Sequence, residues 1–336
     1  MFDKKKLIEI VRSFSKLRVI VVGDLVLDEY LFGKSSRISR EAPVPIVDLE
    51  GAEVRPGGAA NTCANVSAMG AKVTAVGVVG ADRSGELLKK VLRQQGINDK
   101  SVYSVKTRAT TTKTRVLAGD IHTTRQQLLR IDRGERNPLP FSVSKKIADK
   151  LVKLAETHDA VALSDYGFGI LSEHVLKALV EIAKSKPVVA DSRFDLMKLE
   201  KVTVVTPNEP ETEQALNMKL KGEGEVVSAG KTLLRKLGCE MALITRGNKG
   251  MALIQRGKKP FFLPIAQNKE AVDVTGAGDT VVSAFTLALA AKATAEESAF
   301  IANHSASVAV SRSGAVAVSW EEIIASIELS QDSNPR

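Results

Sequence analysis

Residues 160–209, AVALSDYGFGILSEHVLKALVEIAKSKPVVADSRFDLMKLEKVTVVTPNE, decide the fold class. Ala160 to Leu163 and Val188 to Ala190 are short apolar runs in which no polar residue alternates. Such strands are buried on both faces, as in a parallel sheet. The spacing predicts a helix over about 172–185 between them, and a third strand, Val202 to Val205, ends in Thr-Pro-Asn-Glu. Strand, helix, strand is a βαβ unit, whose right-handed crossover lays the helix on one face of the sheet.

The same alternation extends both ways. Upstream, an amphipathic N-terminal helix leads into the strand Arg18 to Gly23, RVIVVG. Ala59 to Met69 reads as a helix of small residues, Lys72 to Val79 as a strand, and Asp82 to Gln95 as a helix stopped by Gly96. A further helix is expected over about 142–157. Downstream, a helix over about 226–237 precedes the strand Ala242 to Ile244, and strands near 251–255 and 260–264 follow. Two closing helices begin near Gly278 and Glu296, and a short one follows Trp320. This predicts an α/β protein with a three-layer α/β/α core around a mostly parallel sheet, one domain over 1–336. Two polar, β-rich stretches, about 30–54 and 107–135, break the pattern. The second reads as a hairpin around Gly119-Asp120, and the two are expected to pair into a small β-sheet lid.

Composition restricts the function. Lys and Arg number 48 against 39 Asp and Glu, giving +9 over 336 residues, but the charge is dispersed and aromatics are only 4%. Neither a basic stripe nor a base-stacking platform for nucleic acid is expected. Cys63 and Cys239 cannot form a disulfide framework, and Cys63, among small residues, reads as buried and inert. The cysteines lack zinc spacing, and His122, His158, His174 and His304 lack metal spacing. Val281 to Ala291 is too short to span a bilayer. Glu9, Arg12, Lys16 and Arg18 interrupt the apolar core that a signal peptide needs. A cytoplasmic protein with no membrane partner and a frayed tail over 330–336 is expected.

In an open α/β sheet, ligands lie beyond the carboxyl ends of the strands. Those ends carry Gly23-Asp24 with Asp28, Ser164-Asp165, Asp191, Asn208 with Glu211, and Thr245-Arg246-Gly247. The most informative segment is Asp273-Val274-Thr275-Gly276-Ala277-Gly278-Asp279, which opens an apolar helix. Its glycines let backbone N–H groups crowd an anion, and the helix start adds a positive dipole end. Asp279 could accept a proton from a substrate hydroxyl, or serve as an ordinary helix cap. Arg55-Pro56-Gly57-Gly58-Ala59-Ala60-Asn61 permits close backbone approach, with Asn61 able to bind a polyol, or is only a helix-opening turn. No Walker A loop and no G-x-G-x-x-G after the first strand is present.

These two segments resemble, in order, the two signatures of the pfkB (ribokinase-like) sugar kinase family. Asn208-Glu209-Pro210-Glu211 resembles its N-x-x-E magnesium motif, and Thr245-Arg246-Gly247-Asn248-Lys249-Gly250 its T-x-G-x-x-G nucleotide segment. Glu41-Ala42-Pro43-Val44-Pro45 and Ser164-Asp165-Tyr166-Gly167 are closest to the kinase part of the bacterial ADP-heptose pathway enzymes. The resemblance implies a ribokinase-like fold and ATP-dependent, Mg2+-requiring phosphorylation of D-glycero-β-D-manno-heptose 7-phosphate at O1, for lipopolysaccharide core precursors. The alternative is another sugar of the family: a fructose phosphate, ribose or a nucleoside. The bifunctional relatives continue into a nucleotidyltransferase domain, which is not expected here.

Carried over by residue, the resemblance makes Asp279 the base and Gly276, Ala277 and Gly278 the anion hole. Asn208 and Glu211 would organise Mg2+ through water, although Glu211 also reads as an ordinary helix N-terminal acid. Thr245, Gly247, Asn208 and Asn303 would line the nucleotide. Asp28, Gly57, Gly58, Asn61 and Asp165 would hold the sugar. Lys113, Arg115 and Arg193 are candidates for its 7-phosphate, although Lys113 and Arg115 alternate on a strand and could be a solvated face. Asp273 and Thr275 are the candidates for a monovalent-cation loop, with K+ as the ion. The heptose-type pattern has Pro-Lys after Asp191, where this chain has Ser192-Arg193. A homodimer through the lid is expected, since edge strands pair readily.

Overall fold

A computed structural model describes residues 2–119, 126–266, 272–312 and 314–330, without the side chain of Ser36. The elements run α1 (Lys4–Ser13), β1 (Arg18–Gly23), β2 (Leu25–Ile38), β3 (Pro45–Gly58), α2 (Ala59–Ala68), β4 (Lys72–Gly80), α3 (Arg83–Gln94) and β5 (Asn98–Val105). There follow β6 (Thr112–Gly119), β7 (Gln126–Arg133), α4 (Phe141–Ala155), β8 (Ala160–Asp165), α5 (Glu173–Ala183), β9 (Val188–Ser192) and β10 (Val204–Val205). The chain closes with α6 (Glu209–Leu216), α7 (Glu223–Leu237), β11 (Met241–Thr245), β12 (Met251–Gln255), β13 (Phe261–Leu263), α8 (Ala277–Ala290), α9 (Ala295–Val310) and α10 (Trp320–Leu329).

The main sheet has the order β13-β12-β11-β10-β9-β8-β1-β4-β5. Pairing is parallel from β11 to β5 and antiparallel at β11–β12 and β12–β13. Side-chain alternation makes three layers. Val19 and Val21 join the apolar cluster that holds α1, α2, α8, α9 and α10, while Ile20 and Val22 join the one that holds α4, α5 and α7. The N-terminal helix buries Leu7 and Val11, one turn apart, and Asp3 caps it. Helix α8 is buried along nearly its whole length, and its Ala, Ser and Thr residues allow tight packing.

The chain leaves β1 toward β4 and β5 and later returns on the other side as β8. The crevice of this doubly wound sheet therefore opens past the carboxyl ends of β1 and β8. Asp24 and Asp165 stand at those two ends.

The second sheet has the order β3-β2-β6-β7, antiparallel at both edges and parallel between β2 and β6. Its register places Asp28, Lys113 and Asp132 in one row and Tyr30, Arg115 and Arg130 in the next on the same face.

Two readings of the sequence need correction. The first β-rich stretch is wider than the expected 30–54. It comprises two 14-residue strands that start at Leu25 and end at Gly58, so Gly57 and Gly58 are ladder residues before they are a turn. Their glycines and Pro56 disguised a strand end. Strand β5 was not anticipated: it is an edge strand that opens on Asn98-Asp99-Lys100, with solvent on one side. The tip of the β6–β7 hairpin, His122 and the tail lie outside the described residues.

Candidate active site

The site forms where α8 begins. Gly276 sits at φ +81, and a Cβ there would lie 2.8 Å from Asn61 Nδ2, so glycine is required on both counts. Ala277 N–H closes a turn onto Val274 O at 3.3 Å, which makes it less available to a ligand. One turn in, Asp279 is only 4% exposed.

Four donors converge on that carboxylate. Asn61 Nδ2 donates to Oδ2 at 2.8 Å. Thr62 Oγ1, Tyr166 Oη and Ser164 Oγ donate to Oδ1 at 2.9, 3.0 and 3.3 Å. The small residues of α2 bring it against α8 closely enough for this. Burial pushes the Asp279 carboxyl above its ordinary range, and the four hydrogen bonds oppose that by favouring the ionised form.

Two cavities meet beside Asp279. One, of about 650 Å³, is largely apolar and is lined by Gly247, Met251, Ile265, Val281 and Asn303 among others. The other, of about 500 Å³, is charged and is lined by Asp28, Lys113, Arg193, Glu211 and Asp279 among others. Thr245, Val274 and Gly278 border both.

Most of the expected residues line these cavities, but several are engaged with one another. Arg115 Nη1 donates to Asp28 Oδ1 at 2.8 Å, so each neutralises the other. A Cβ on Gly57 would lie 2.5 Å from Asp28 Oδ2, so glycine is what lets that carboxylate sit there. Among the described residues, Lys113 and Arg193 have no carboxylate within ion-pair distance. Burial lowers the Lys113 pKa and nearby Arg193 and Arg115 lower it further, against the pull of Asp28 and Asp132. Arg130 is a lining cation that the sequence did not single out, although it pairs with Asp132 at 2.8 Å.

Asn208 and Glu211 form a capping box on α6: Asn208 Oδ1 accepts Glu211 N at 2.8 Å, and Glu211 Oε2 accepts Asn208 N at 2.9 Å. The helix-cap reading of Glu211 therefore holds locally, and its side chain still borders the charged cavity. Behind it, burial and the charges of Glu211 and Asp279 push Asp191 well above its usual range. Crowded acids of this kind fit a cation, with Asn208 and Glu211 best placed at the cavity wall. Among the described residues no three His, Cys, Asp or Glu side chains form a metal cage.

Asp273 accepts Thr275 N and Gly314 N, both at 2.9 Å. Burial raises its pKa, but the Thr275 side chain, these two backbone bonds and the nearby Arg115 charge together hold the carboxyl low. Asn303 Nδ2 donates to Pro264 O at 2.7 Å, and Gly247 adopts φ +56. Asp165 accepts Ser192 Oγ at 2.6 Å and Gly167 N at 3.2 Å. Burial and the Asp165 charge push its neighbour Asp24 up to about 7.

Thr62 and Tyr166 as partners of Asp279 were missed. Tyr166 was visible only as part of a motif, and nothing in local spacing marks Thr62.

Residues 16–322 match the family described as pfkB family carbohydrate kinase. The chain is 38% identical over 325 residues to Bifunctional protein HldE of Desulfatibacillum aliphaticivorans, covering 95% of this chain and 64% of that protein. It is 39% identical over 310 residues to Bifunctional protein HldE of Gluconobacter oxydans, covering 91% and 63%. The chain thus spans slightly under two thirds of the length of these relatives. Among solved structures, ribokinase of Arabidopsis thaliana with ribose and ATP superposes with a TM-score of 0.75 at 22% identity, covering 94% of this chain and 99% of that one. Phosphofructokinase-2 of Escherichia coli gives 0.74 at 16%, covering 93% and 98%. These two likenesses bear on the fold alone.

Proposed function

The chain belongs to the pfkB family of carbohydrate kinases, and from that premise we propose that it phosphorylates D-glycero-β-D-manno-heptose 7-phosphate at O1, using ATP. The observation that carries this is Asp279, held by four donors at the joint of an apolar and a charged cavity. A phosphorylated sugar is favoured by Lys113 and Arg193, two mutually repelling cations that form no direct ion pair among the described residues, although Asp28 and Asp132 lie near enough to act on Lys113. A cation pair of that kind, with Lys113 half-buried and Arg193 exposed at the cavity mouth, is stabilised by an incoming dianion. The identity to HldE proteins along nearly the whole chain supports the heptose.

In this scheme Asp279 takes the O1 proton, and the N–H groups of Gly276 and Gly278, joined by Ala277 only if its turn bond to Val274 O opens, hold the charge that grows on the transferred phosphoryl oxygens. Adenine lies toward Asn303, and Thr245 and Gly247 line the phosphates. Asp28, Gly57, Gly58, Asn61 and Asp165 surround the sugar, with Arg115 orienting Asp28. Asn208 and Glu211 hold Mg2+ through water. When bound, Mg2+ neutralises phosphate charge. The Asp273–Thr275 loop is the proposed place for K+.

The second sheet acts as a lid that excludes water. Its outer face carries Leu129 and Ile131, 55% and 49% exposed, which supports a homodimer formed there. Among the described residues no helix is long and apolar enough to cross a membrane. A cytoplasmic location agrees with two free, buried cysteines.

A coupled ADP-release assay over heptose 7-phosphate, fructose 6-phosphate, ribose and adenosine tests the reading. Heptose 7-phosphate should exceed ribose and adenosine in kcat/KM by about 100-fold or more, since a well-paired phosphate contributes several kcal/mol, and should also exceed fructose 6-phosphate. Preference for an unphosphorylated sugar overturns it. Preference for fructose 6-phosphate keeps the kinase and changes the sugar, an outcome that Ser192-Arg193 makes worth measuring.

A further inference from the structure

The loop that follows β8 ends in a side chain that the transfer scheme above does not use. Asp165-Tyr166-Gly167-Phe168-Gly169 turns back through φ +74 at Gly167 and +95 at Gly169. Three strand ends hold it. Asp24 Oδ2, after β1, accepts both Tyr166 N and Phe168 N at 2.9 Å. Asp165 Oδ1, on β8, accepts Gly167 N, and Arg193 N, after β9, donates to Asp165 O at 3.1 Å. What this framework orients is the Tyr166 phenol, whose Oη donates to Asp279 Oδ1 at 3.0 Å. From the second sheet, Lys113 Nζ stands 5.4 Å from the ring centroid and fixes the ring.

The two oxygens of Asp279 are thereby unequal. Oδ1 accepts from Thr62, Ser164 and Tyr166, whereas Oδ2 accepts from Asn61 alone. A carboxylate oxygen with three donors has no lone pair left for a substrate proton. We propose that Tyr166 is the positioning residue of the base: its hydroxyl anchors Oδ1, keeps the carboxylate ionised, and leaves Oδ2 as the atom that receives the proton. This rests on the reading of Asp279 as the base. In that step the sugar oxygen bonds to the γ-phosphorus as the bond to the β–γ bridging oxygen breaks. The hydroxyl proton goes to Oδ2, and ADP leaves.

Other titratable or charged groups face this pair from every side. They are Asp24 after β1, Cys63 on α2, Asp165 on β8, Asp191 on β9 with Arg193 just after it, Glu211 on α6 and Lys113 on β6. Burial and the charges of Asp279 and Asp191 push the Tyr166 phenol well above its ordinary range, so it remains a donor at working pH. The direction of its effect follows. Removing the hydroxyl removes one bond that favours the ionised Asp279, so the carboxyl pKa rises.

The experiment compares pH profiles of kcat/KM for the wild type, Tyr166→Phe and Asp279→Asn with ATP and the preferred sugar phosphate. Tyr166→Phe keeps the ring and the Lys113 contact. Its acidic limb should move to higher pH, and kcat should fall about tenfold with little change in sugar KM. A second measurement needs no deletion. The chain has three tyrosines, and uniform 3-fluorotyrosine makes the phenol a stronger donor. That should move the wild-type limb to lower pH and leave the limb of Tyr166→Phe in place. An unmoved limb in both measurements overturns the proposal, even if kcat falls. If Asp279→Asn is dead while Tyr166→Phe keeps the wild-type limb, only the Tyr166 role fails. If Asp279→Asn turns over normally, the base assignment fails, and the Tyr166 role with it.

Discussion

Single side chains carry the chemistry. Asp279→Asn keeps the shape and the hydrogen-bond acceptor at Oδ1 but cannot take a proton. Turnover should fall by about 10³-fold or more while nucleotide binding, followed by calorimetry, stays near wild type, because general-base catalysis supplies about that much. Near-normal turnover contradicts the role. Lys113 and Arg193 predict a different signature. Lys113→Met or Arg193→Met should raise the KM of the phosphosugar at least tenfold and leave the KM of ATP unchanged, since both cations line only the charged cavity. Equal effects on both substrates would place them elsewhere in the reaction. Arg115 should behave worse than its charge alone suggests. Its removal leaves Asp28, buried at 5% exposure, without its ion-pair partner.

At the scale of elements, strand ends and helix starts do the positioning. Asn208 shows the economy of it: one amide both caps α6 and faces the cavity. Asn208→Ala should lower stability by about 1 kcal/mol, the usual cost of losing such a cap. The ends of β1 and β8 meet as Asp24 and Asp165, two buried acids in contact. The folded Asp24 titrates at about 7 against an ordinary 3.8. Between those values the folded chain holds a proton that the unfolded chain releases. Stability is therefore full below about 4 and is lost as pH rises through about 7. Asp24→Asn can still accept Tyr166 N and Phe168 N through its oxygen. It should raise the melting temperature at pH 8 and change it little at pH 4. A melting difference that is the same at both values would show that the pair does not titrate in this window.

For the whole molecule, the proposed dimer depends on the outer face of the second sheet. Leu129 and Ile131 point away from the cleft, because Arg130 between them points into it. Leu129→Lys should turn a dimer into a monomer in sedimentation velocity, and a wild-type chain that is monomeric at micromolar concentration contradicts the dimer. The layered core was legible in the sequence, because buried parallel strands and amphipathic helices announce themselves over a few residues. So was the segment Asp273–Asp279, since its glycines and helix start are local facts. Edge strand β5 was not, because half of its environment is solvent and its sequence is correspondingly polar. Nor was the pairing of Arg115 with Asp28, or of Tyr166 and Thr62 with Asp279. Those partners are 87, 113 and 217 residues apart. The sequence alone determined which elements form and which residue types wait at the strand ends. Which of those residues neutralise each other and which stay free for a substrate follows from the folded packing, because sheet register and helix packing set distances that no local spacing encodes.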